Sequence, residues 1–295
     1  MERYVVHVTK ECNMSCVYCY EKDKVSTYTW EEVREFLDRL VANNKEKSFG
    51  IEYLGGEPLL AFDIIKKATE YLENIQSISV NDYMITTNGT ILNDDIIEFM
   101  KKYPNVCWAA SMDGNRYMNQ LRVFKDTGIN SYEVVIENAK EIIEKLGAHR
   151  VGIHMVTHPF NIGYLSKGID HLYHIGIRRI GVGTVENTLA IGEEYASRFI
   201  QELSIVSERI ANGEYPGLSV DVLESLKPED DQRYYIKDPI TGKTIGESYG
   251  RAKNDITQTN EYNSMAVSSD LSTLINYIRR RVYIIHQENI RRWRP

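Results

Sequence analysis

Cys12, Cys16 and Cys19 fall within eight residues, in the run Cys-Asn-Met-Ser-Cys-Val-Tyr-Cys. Thiolates crowded this closely on one loop can share a soft metal centre. A closed tetrahedral zinc site takes four protein ligands, and an ordinary cubane cluster takes four cysteines. A three-cysteine loop holding a [4Fe–4S] cluster leaves one iron open, and an open iron points to chemistry rather than to electron transfer or a structural staple. The spacing alone leaves two other readings open: zinc completed by one of the seven histidines, or plain thiols.

The rest of the chain must position that loop. Its 295 residues are 42% hydrophobic and 26% charged, the make-up of a globular protein of one or two domains. A net charge of −7 makes nucleic acid an unfavoured partner. No apolar run approaches the roughly 20 residues of a membrane span, so no membrane role is expected. Met1-Glu2-Arg3 leads straight into a strand-like segment without the pattern of a signal peptide. Four cysteines with three clustered do not make a disulfide framework, which points to a reducing, cytoplasmic compartment. The sequon at Asn88-Gly89-Thr90 carries no weight there.

Strand-like and helix-like patterns alternate over residues 1–215. Tyr4 to Thr9 reads as the strand that delivers the cysteine loop. Val33, Phe36, Leu37 and Leu40 then recur with helical spacing. Strands are predicted over 49–54, 83–87, 106–111, 150–156 and 179–185. Helices are predicted over 64–75, 94–103 (capped by Asn93 or Asp94), about 135–146, 163–174 and 193–212. Six strand–helix units imply a parallel sheet with right-handed crossovers. Eight units close a barrel, so the expected fold is α/β, a partial (β/α)6 TIM-like barrel. Residues 216–295 form the second expected region, a polar and helical C-terminal extension. It has a linker at 227–231, a Gly-, Thr- and Asn-rich stretch at 238–263 and a final helix over 270–289, and it would cap the barrel or contact the substrate.

In parallel α/β folds ligands bind at the C-terminal strand ends. Here the first strand ends in the cysteine loop and the second in Gly55-Gly56-Glu57-Pro58. The third ends in Thr86-Thr87-Asn88-Gly89-Thr90 and the fourth in Ser111-Met112-Asp113-Gly114. Paired glycines let backbone approach a ligand closely, and a carboxylate there could hold an ammonium group. Each element alone is usually just a turn; their recurrence on successive strand ends carries the argument.

With these motifs in hand, the chain resembles the radical S-adenosylmethionine (SAM) enzymes. The likeness rests on the cysteine loop with Tyr18 before its third cysteine, on Gly55-Gly56-Glu57-Pro58, and on the order of Thr87-Asn88-Gly89, Ser111-Met112-Asp113-Gly114 and Arg122. It covers roughly residues 4–190 and is nearest the sulfatase-maturase and peptide-modifying branch. The resemblance implies that Cys12, Cys16 and Cys19 bind three irons of one [4Fe–4S] cluster while SAM chelates the fourth. Reductive cleavage of SAM then yields a 5′-deoxyadenosyl radical that abstracts hydrogen from a substrate. It further implies that Glu57 and the Gly56 backbone take the ammonium end of SAM, and that Ser111 and Arg122 hold the ribose hydroxyls and carboxylate. Tyr18 and Val185 would flank the adenine. Gly55, Pro58, Thr87, Asn88, Asp113 and His154 complete the implied cofactor-binding set, His154 by facing the barrel mouth. The implied partners are a peptide or protein substrate and an electron donor such as flavodoxin or ferredoxin.

One departure stands out. Members of that branch carry a cysteine-rich C-terminal extension for auxiliary clusters, whereas nothing cysteine-like follows Cys107 here, which reads as a buried small hydrophobe. A single cluster is therefore expected, with no leader-peptide-binding domain expected before it. His171 and His174 read as satisfied or exposed rather than as metal ligands. Gly242-Lys243-Thr244 fails as a P-loop because position 237 is Lys. The terminal arginines (279–281, 291, 292 and 294) with Trp293 form a basic patch, read equally as a solvated face or a dock for an acidic peptide or RNA. The twenty tyrosines hint at peptide or base contacts. The rival readings are modification of RNA or a small metabolite, and an iron–sulfur or zinc protein without turnover.

Overall fold

The computed structural model describes residues 3–19, 21, 24–44, 48–185, 192–224, 234–237, 244–248 and 281–292. Seven strands make one sheet in chain order: β1 (Arg3–Thr9), β2 (Ser48–Gly55), β3 (Ser79–Thr87), β4 (Val106–Ser111), β5 (Val151–Thr157), β6 (Arg179–Thr184) and β7 (Ser219–Val220). The pairs β1–β2, β2–β3, β5–β6 and β6–β7 are parallel. Six helices alternate with the first six strands: α1 (Trp30–Asn43), α2 (Phe62–Glu73), α3 (Asp94–Lys102), α4 (Tyr132–Leu146), α5 (Leu165–Ile175) and α6 (Glu193–Ala211). The short α7 (Asp221–Glu224) follows β7. The fold is α/β, with the open six-unit organisation that the alternation implies and a two-residue seventh strand beyond it. Tyr234–Lys237 (β8) and Thr244–Ser248 (β9) form an antiparallel pair not predicted from sequence, β9 lying within the Gly-, Thr- and Asn-rich stretch. Residues 281–292 are helical (α8); the first part of the expected final helix, 270–280, lies outside the described residues, as does the linker at 227–231.

Contacts divide the chain into two compact units. One holds β1–β3, α1–α3, β4 as far as Ala109, and β8–β9; the other holds Cys16–Tyr18, the end of β4, β5–β7 and α4–α8. In the first unit α1 starts at a full capping box. Thr29 accepts from the Glu32 N–H, and the Glu32 carboxylate accepts from the Thr29 N–H. Val33, Leu37 and Leu40 bury its apolar face. α3 starts at Asn93, whose Oδ1 accepts from the Ile96 N–H at 3.0 Å. On β2 the buried Tyr53 turns toward α2, its hydroxyl 2.8 Å from that of Thr69.

The opposite face of these strands carries polar groups. Arg3 pairs with Asp82 at 2.6 Å, and Thr86 donates to Glu52 at 2.6 Å. Register places His7 on the same face, two residues beyond the partner of Glu52. Burial pushes the His7 imidazole down to about 3, with Lys10 adding to the effect, and its Nε2 has no hydrogen-bond partner among the described residues. An imidazole kept neutral in the fold but free to protonate when unfolded stabilises the protein fully only above its ordinary pKa of 6.5. That stability drains away as pH falls toward 3. His7→Leu removes both the orphaned nitrogen and the titration. Wild type is thus expected to lose about 3 kcal/mol more than His7→Leu between pH 7 and pH 4, read by urea unfolding of the apo protein. Parallel losses in the two proteins would contradict a buried, neutral His7.

In the second unit β5 alternates strictly, with Val151, Ile153, Met155 and Thr157 buried and Gly152, His154 and Val156 half-buried. The His154 ring lies over β6, where a side chain at Gly181 would meet it at 2.9 Å and one at Gly183 at 3.3 Å. α8 docks on α6: Ser207 Oγ lies 3.0 Å from His286 Nδ1 and accepts from Asn289 Nδ2 at 3.0 Å, and Val282 is buried. Arg291 and Arg292 are exposed on α8, while the basic patch's remaining members apart from Arg281 lie outside the described residues.

Candidate functional site

The cysteine loop leaves β1 at Thr9, and its first residues are gripped by the end of β2. Gly56 N–H donates to Thr9 O at 2.9 Å and Glu57 N–H to Glu11 O at 2.7 Å. A Cβ on Gly55 would stand 2.3 Å from Thr9 O, and one on Gly56 would stand 2.4 Å from both Lys10 O and Glu11 O. The glycine pair, read from sequence as room for a ligand, is required first by the chain's own backbone. The Thr9 hydroxyl completes the grip by meeting Thr27 and accepting from the Glu11 N–H.

Glu57 differs from its sequence reading in the same way. Its side chain is completely buried and accepts three hydrogen bonds: Leu59 N–H at 2.9 Å and Thr87 Oγ1 at 2.7 Å on one oxygen, Asn88 N–H at 2.6 Å on the other. Burial pushes its carboxyl up to about 7 against those three donors, each of which favours the ionised form. The carboxylate expected to meet an ammonium group therefore ties β2 to the end of β3. Pro58 follows it at the first position of a 3₁₀ turn, Pro58–Ala61, capped by Glu57 itself. Thr87 is consumed too, donating to Glu57 and accepting from the Gly89 N–H at 3.0 Å.

Asn88 faces the cysteine loop. Its Nδ2 donates to Asn13 Oδ1 at 2.7 Å and to Cys12 Sγ at 3.7 Å, and its Oδ1 accepts from Thr90 Oγ1 at 2.7 Å. Asn13 Nδ2 donates to that same Thr90 hydroxyl at 2.8 Å. Burial pushes the Cys12 thiol up, opposed by the Met14 N–H, Lys24 and Asn88. Lys24 also donates to Met14 O at 2.9 Å. Thr90 stood in the strand-end motif without a role of its own, and Asn13 was not singled out from sequence. The available signal was an amide inside the cysteine loop, but its partners lie 75 or more residues away.

The second unit holds Cys16–Tyr18 by a different device. Val17 N–H donates to Leu121 O at 3.0 Å, and the Tyr18 hydroxyl donates to Asp113. Asp113 is fully buried and also accepts from the Val156 N–H at 2.9 Å and from Nε and Nη2 of Arg122 at 3.0 Å. The Arg122 guanidinium lies 5.2 Å from the Tyr18 ring centroid, within cation–π range. Asn119, likewise missed from sequence, accepts from the Asp113 N–H at 3.1 Å. Burial works against the Arg122 charge, but Asp113, Tyr18 and Cys16 together hold its pKa above the ordinary arginine value.

Ser111 ends β4 on its half-exposed face together with Cys107 and Ala109, so Cys107 is not the buried hydrophobe that its strand pattern implied. The alternation of β4 buries Val106, Trp108 and Ala110 instead. Burial, then Arg122, push the half-buried His154 down to about 4, keeping it neutral. Val185 is buried just beyond β6, its N–H bound to Thr157 O at 2.8 Å. His171 meets the Tyr132 hydroxyl, and His174 lies 2.8 Å from Asp170 O, so both have partners in the fold.

None of the three loop cysteines is in a disulfide, and all three are half-exposed. Among the described residues no three His, Cys, Asp or Glu side chains are grouped closely enough to hold a single ion. The donor set suits an iron–sulfur group: three accessible thiols on one loop, with backbone and amide N–H groups directed at the first of them.

Comparison with known proteins agrees with this chemistry. The sequence model of the Radical SAM superfamily matches residues 6–172, more than half of the chain. "Uncharacterized protein MJ0907" of Methanocaldococcus jannaschii is 29% identical over 182 residues, covering 61% of each chain. "Radical SAM cyclopropyl synthase TigE" of Paramaledivibacter caminithermalis is 32% identical over 154 residues, 44% of this chain and 32% of that one. A "Probable GTP 3′,8-cyclase" of Methanococcus maripaludis is 31% identical over 57% of this chain and 54% of its own. The matched regions thus span less than two thirds of these relatives. Among solved structures, anSMEcpe with bound AdoMet superposes with a TM-score of 0.64 at 18% identity, covering 75% of this chain and 63% of that one. Streptococcus suis SuiB bound to S-adenosylmethionine gives 0.57 at 18% identity, covering 74% and 50%. At such identities the likeness is one of fold.

Proposed function

The chain belongs to the radical SAM superfamily, and from that premise we propose that it binds one [4Fe–4S] cluster through Cys12, Cys16 and Cys19 and uses it with SAM on a peptide or protein side chain. When bound, the cluster and SAM together supply a 5′-deoxyadenosyl radical that abstracts hydrogen. The observation that carries the reading is the bracing of the loop at Cys12, where Gly55-Gly56 grip the loop backbone and the Asn88 amide donates to the sulfur. A thiol on backbone held this firmly meets the demand of preorganised chemistry.

Within this reading the Gly56 backbone carbonyl accepts from the ammonium end of SAM. The Glu57 carboxylate holds that backbone in place with the help of Thr87 and Pro58. The Arg122 guanidinium is the donor for the SAM carboxylate, and the half-exposed Ser111 hydroxyl is a donor for the ribose. Val185 serves as an apolar wall for the adenine, opposite the Tyr18 ring. His154, neutral at physiological pH, can donate or accept one hydrogen bond toward substrate. Residues 1–215 would form the catalytic barrel and 216–295 an accessory region, with flavodoxin or ferredoxin as electron donor in the cytoplasm. Among the described residues no helix is long and apolar enough to cross a membrane.

Two fold neighbours bear on the substrate: anSMEcpe was solved with a Cp18Cys peptide and SuiB with the precursor peptide SuiA. The GTP 3′,8-cyclase relatives favour a second reading, a nucleotide or other small molecule. To separate them, the reduced, reconstituted enzyme is incubated with SAM and either a cysteine- and serine-containing peptide library or GTP, and 5′-deoxyadenosine is quantified. Peptide-dependent stimulation with a mass change on a peptide is the expected result. Stimulation and product from GTP alone would favour the second reading.

A further inference from the structure

Asn88 belongs to a closed ring of side chains that ends on a thiol. Its amide donates to Asn13, Asn13 donates to the Thr90 hydroxyl, and that hydroxyl donates back to Asn88 Oδ1, with distances of 2.7, 2.8 and 2.7 Å. The Thr90 N–H adds a bond to the same Oδ1 at 3.0 Å. Each member fixes the next, so the Asn88 amide has little freedom to rotate. Its Nδ2 also lies 3.7 Å from Cys12 Sγ with donor geometry. Asn88 is 7% exposed. A side chain this occupied has little left with which to bind a soluble ligand.

We propose that Asn88 is a positioning residue that acts on the cluster through Cys12, and that Asn13 and Thr90 hold its amide on the sulfur. This rests on the reading of Cys12 as a cluster ligand. Hydrogen bonds to ligating sulfur disperse the negative charge that reduction adds, and so raise the reduction potential. The amide in this ring is neutral and has no charge to be screened by solvent. Its effect follows from a fixed N–H direction, which the ring supplies. Asn88 thereby sets how readily the physiological reductant fills the cluster, rather than how tightly SAM binds.

The test is an anaerobic redox titration of the reconstituted protein followed by electron paramagnetic resonance, with iron content and SAM affinity measured on the same samples. In Asn88→Ala the oxidised-to-reduced ratio at the wild-type midpoint is expected to rise about tenfold, a fall of about 59 mV for a one-electron couple. SAM affinity should change less than threefold. Thr90→Val keeps the side-chain shape and breaks the ring, and its midpoint should move the same way by a smaller amount. If Asn88→Ala fails to load iron, Thr90→Val carries the test alone. An unchanged midpoint in variants holding four irons overturns the proposal, as does a tenfold loss of SAM affinity at constant midpoint. A wild-type protein that binds no iron would instead overturn the functional reading on which the proposal rests.

Discussion

Asp113→Ala is expected to destabilise the apo protein by about 3–5 kcal/mol, the effect of removing one partner of a buried ion pair. Asp113 is wholly buried and accepts from Tyr18, from Val156 N–H and from two nitrogens of Arg122. Its removal leaves a guanidinium that is only 7% exposed without its counter-ion, and orphans a backbone N–H. Arg122→Met in the same chain removes the stranded charge, so the double variant should recover more than half of the loss. That recovery separates a charge effect from simple loss of packing. Urea unfolding measures all three proteins. A loss below 1 kcal/mol in Asp113→Ala, or a double variant no better than the single, would contradict the ion pair's place at the centre of this network.

Gly56→Ala should abolish cluster retention while leaving a folded protein. The added methyl would stand 2.4 Å from two carbonyl oxygens, Lys10 O and Glu11 O. Both belong to backbone, so neither can swing aside as a flexible side chain would. The loop must move, breaking the bonds from Gly56 N–H to Thr9 O and from Glu57 N–H to Glu11 O. Iron bound per chain after reconstitution is expected to fall at least fivefold, whereas Gly192→Ala, where nothing lies within 4 Å, should load as wild type does. Far-ultraviolet circular dichroism confirms the fold in both. Full iron loading in Gly56→Ala would show that the contact between β2 and the cysteine loop is not needed to shape the site.

The sequence made the alternating frame legible because its helices bury one apolar face and its strands are flanked by turn residues. β4 appears with its predicted ends, and α3 is capped by Asn93, one of the two residues predicted for that place. β3 begins four residues earlier than expected, at Ser79. There Asn81 and Asp82 make polar contacts with Ser48 and Arg3, and polar partners erase the apolar signal on which strand recognition depends. β7 has two residues, too few for any periodicity. The cysteines and strand-end motifs were visible as residue types in order along the chain. What each does was less visible. Glu57, Thr87, Asn88 and Asp113 looked like ligand-binding groups, yet their side chains are largely taken up by hydrogen bonds within the chain. The roles of Asn13 and Thr90 emerged only once distant segments were brought together, whereas Asn119 accepts from the Asp113 N–H only six residues away.

The central claim is that Cys12, Cys16 and Cys19 hold one [4Fe–4S] cluster that cleaves SAM. Anaerobic reconstitution, iron and sulfide counting, reduction with dithionite and assay of 5′-deoxyadenosine test it most directly. Four irons and four sulfides per chain with 5′-deoxyadenosine formed from SAM, all lost in Cys16→Ala, is the predicted result. Zinc in place of iron, or a loaded and reduced cluster that leaves SAM intact with peptide or nucleotide substrates present, would contradict it.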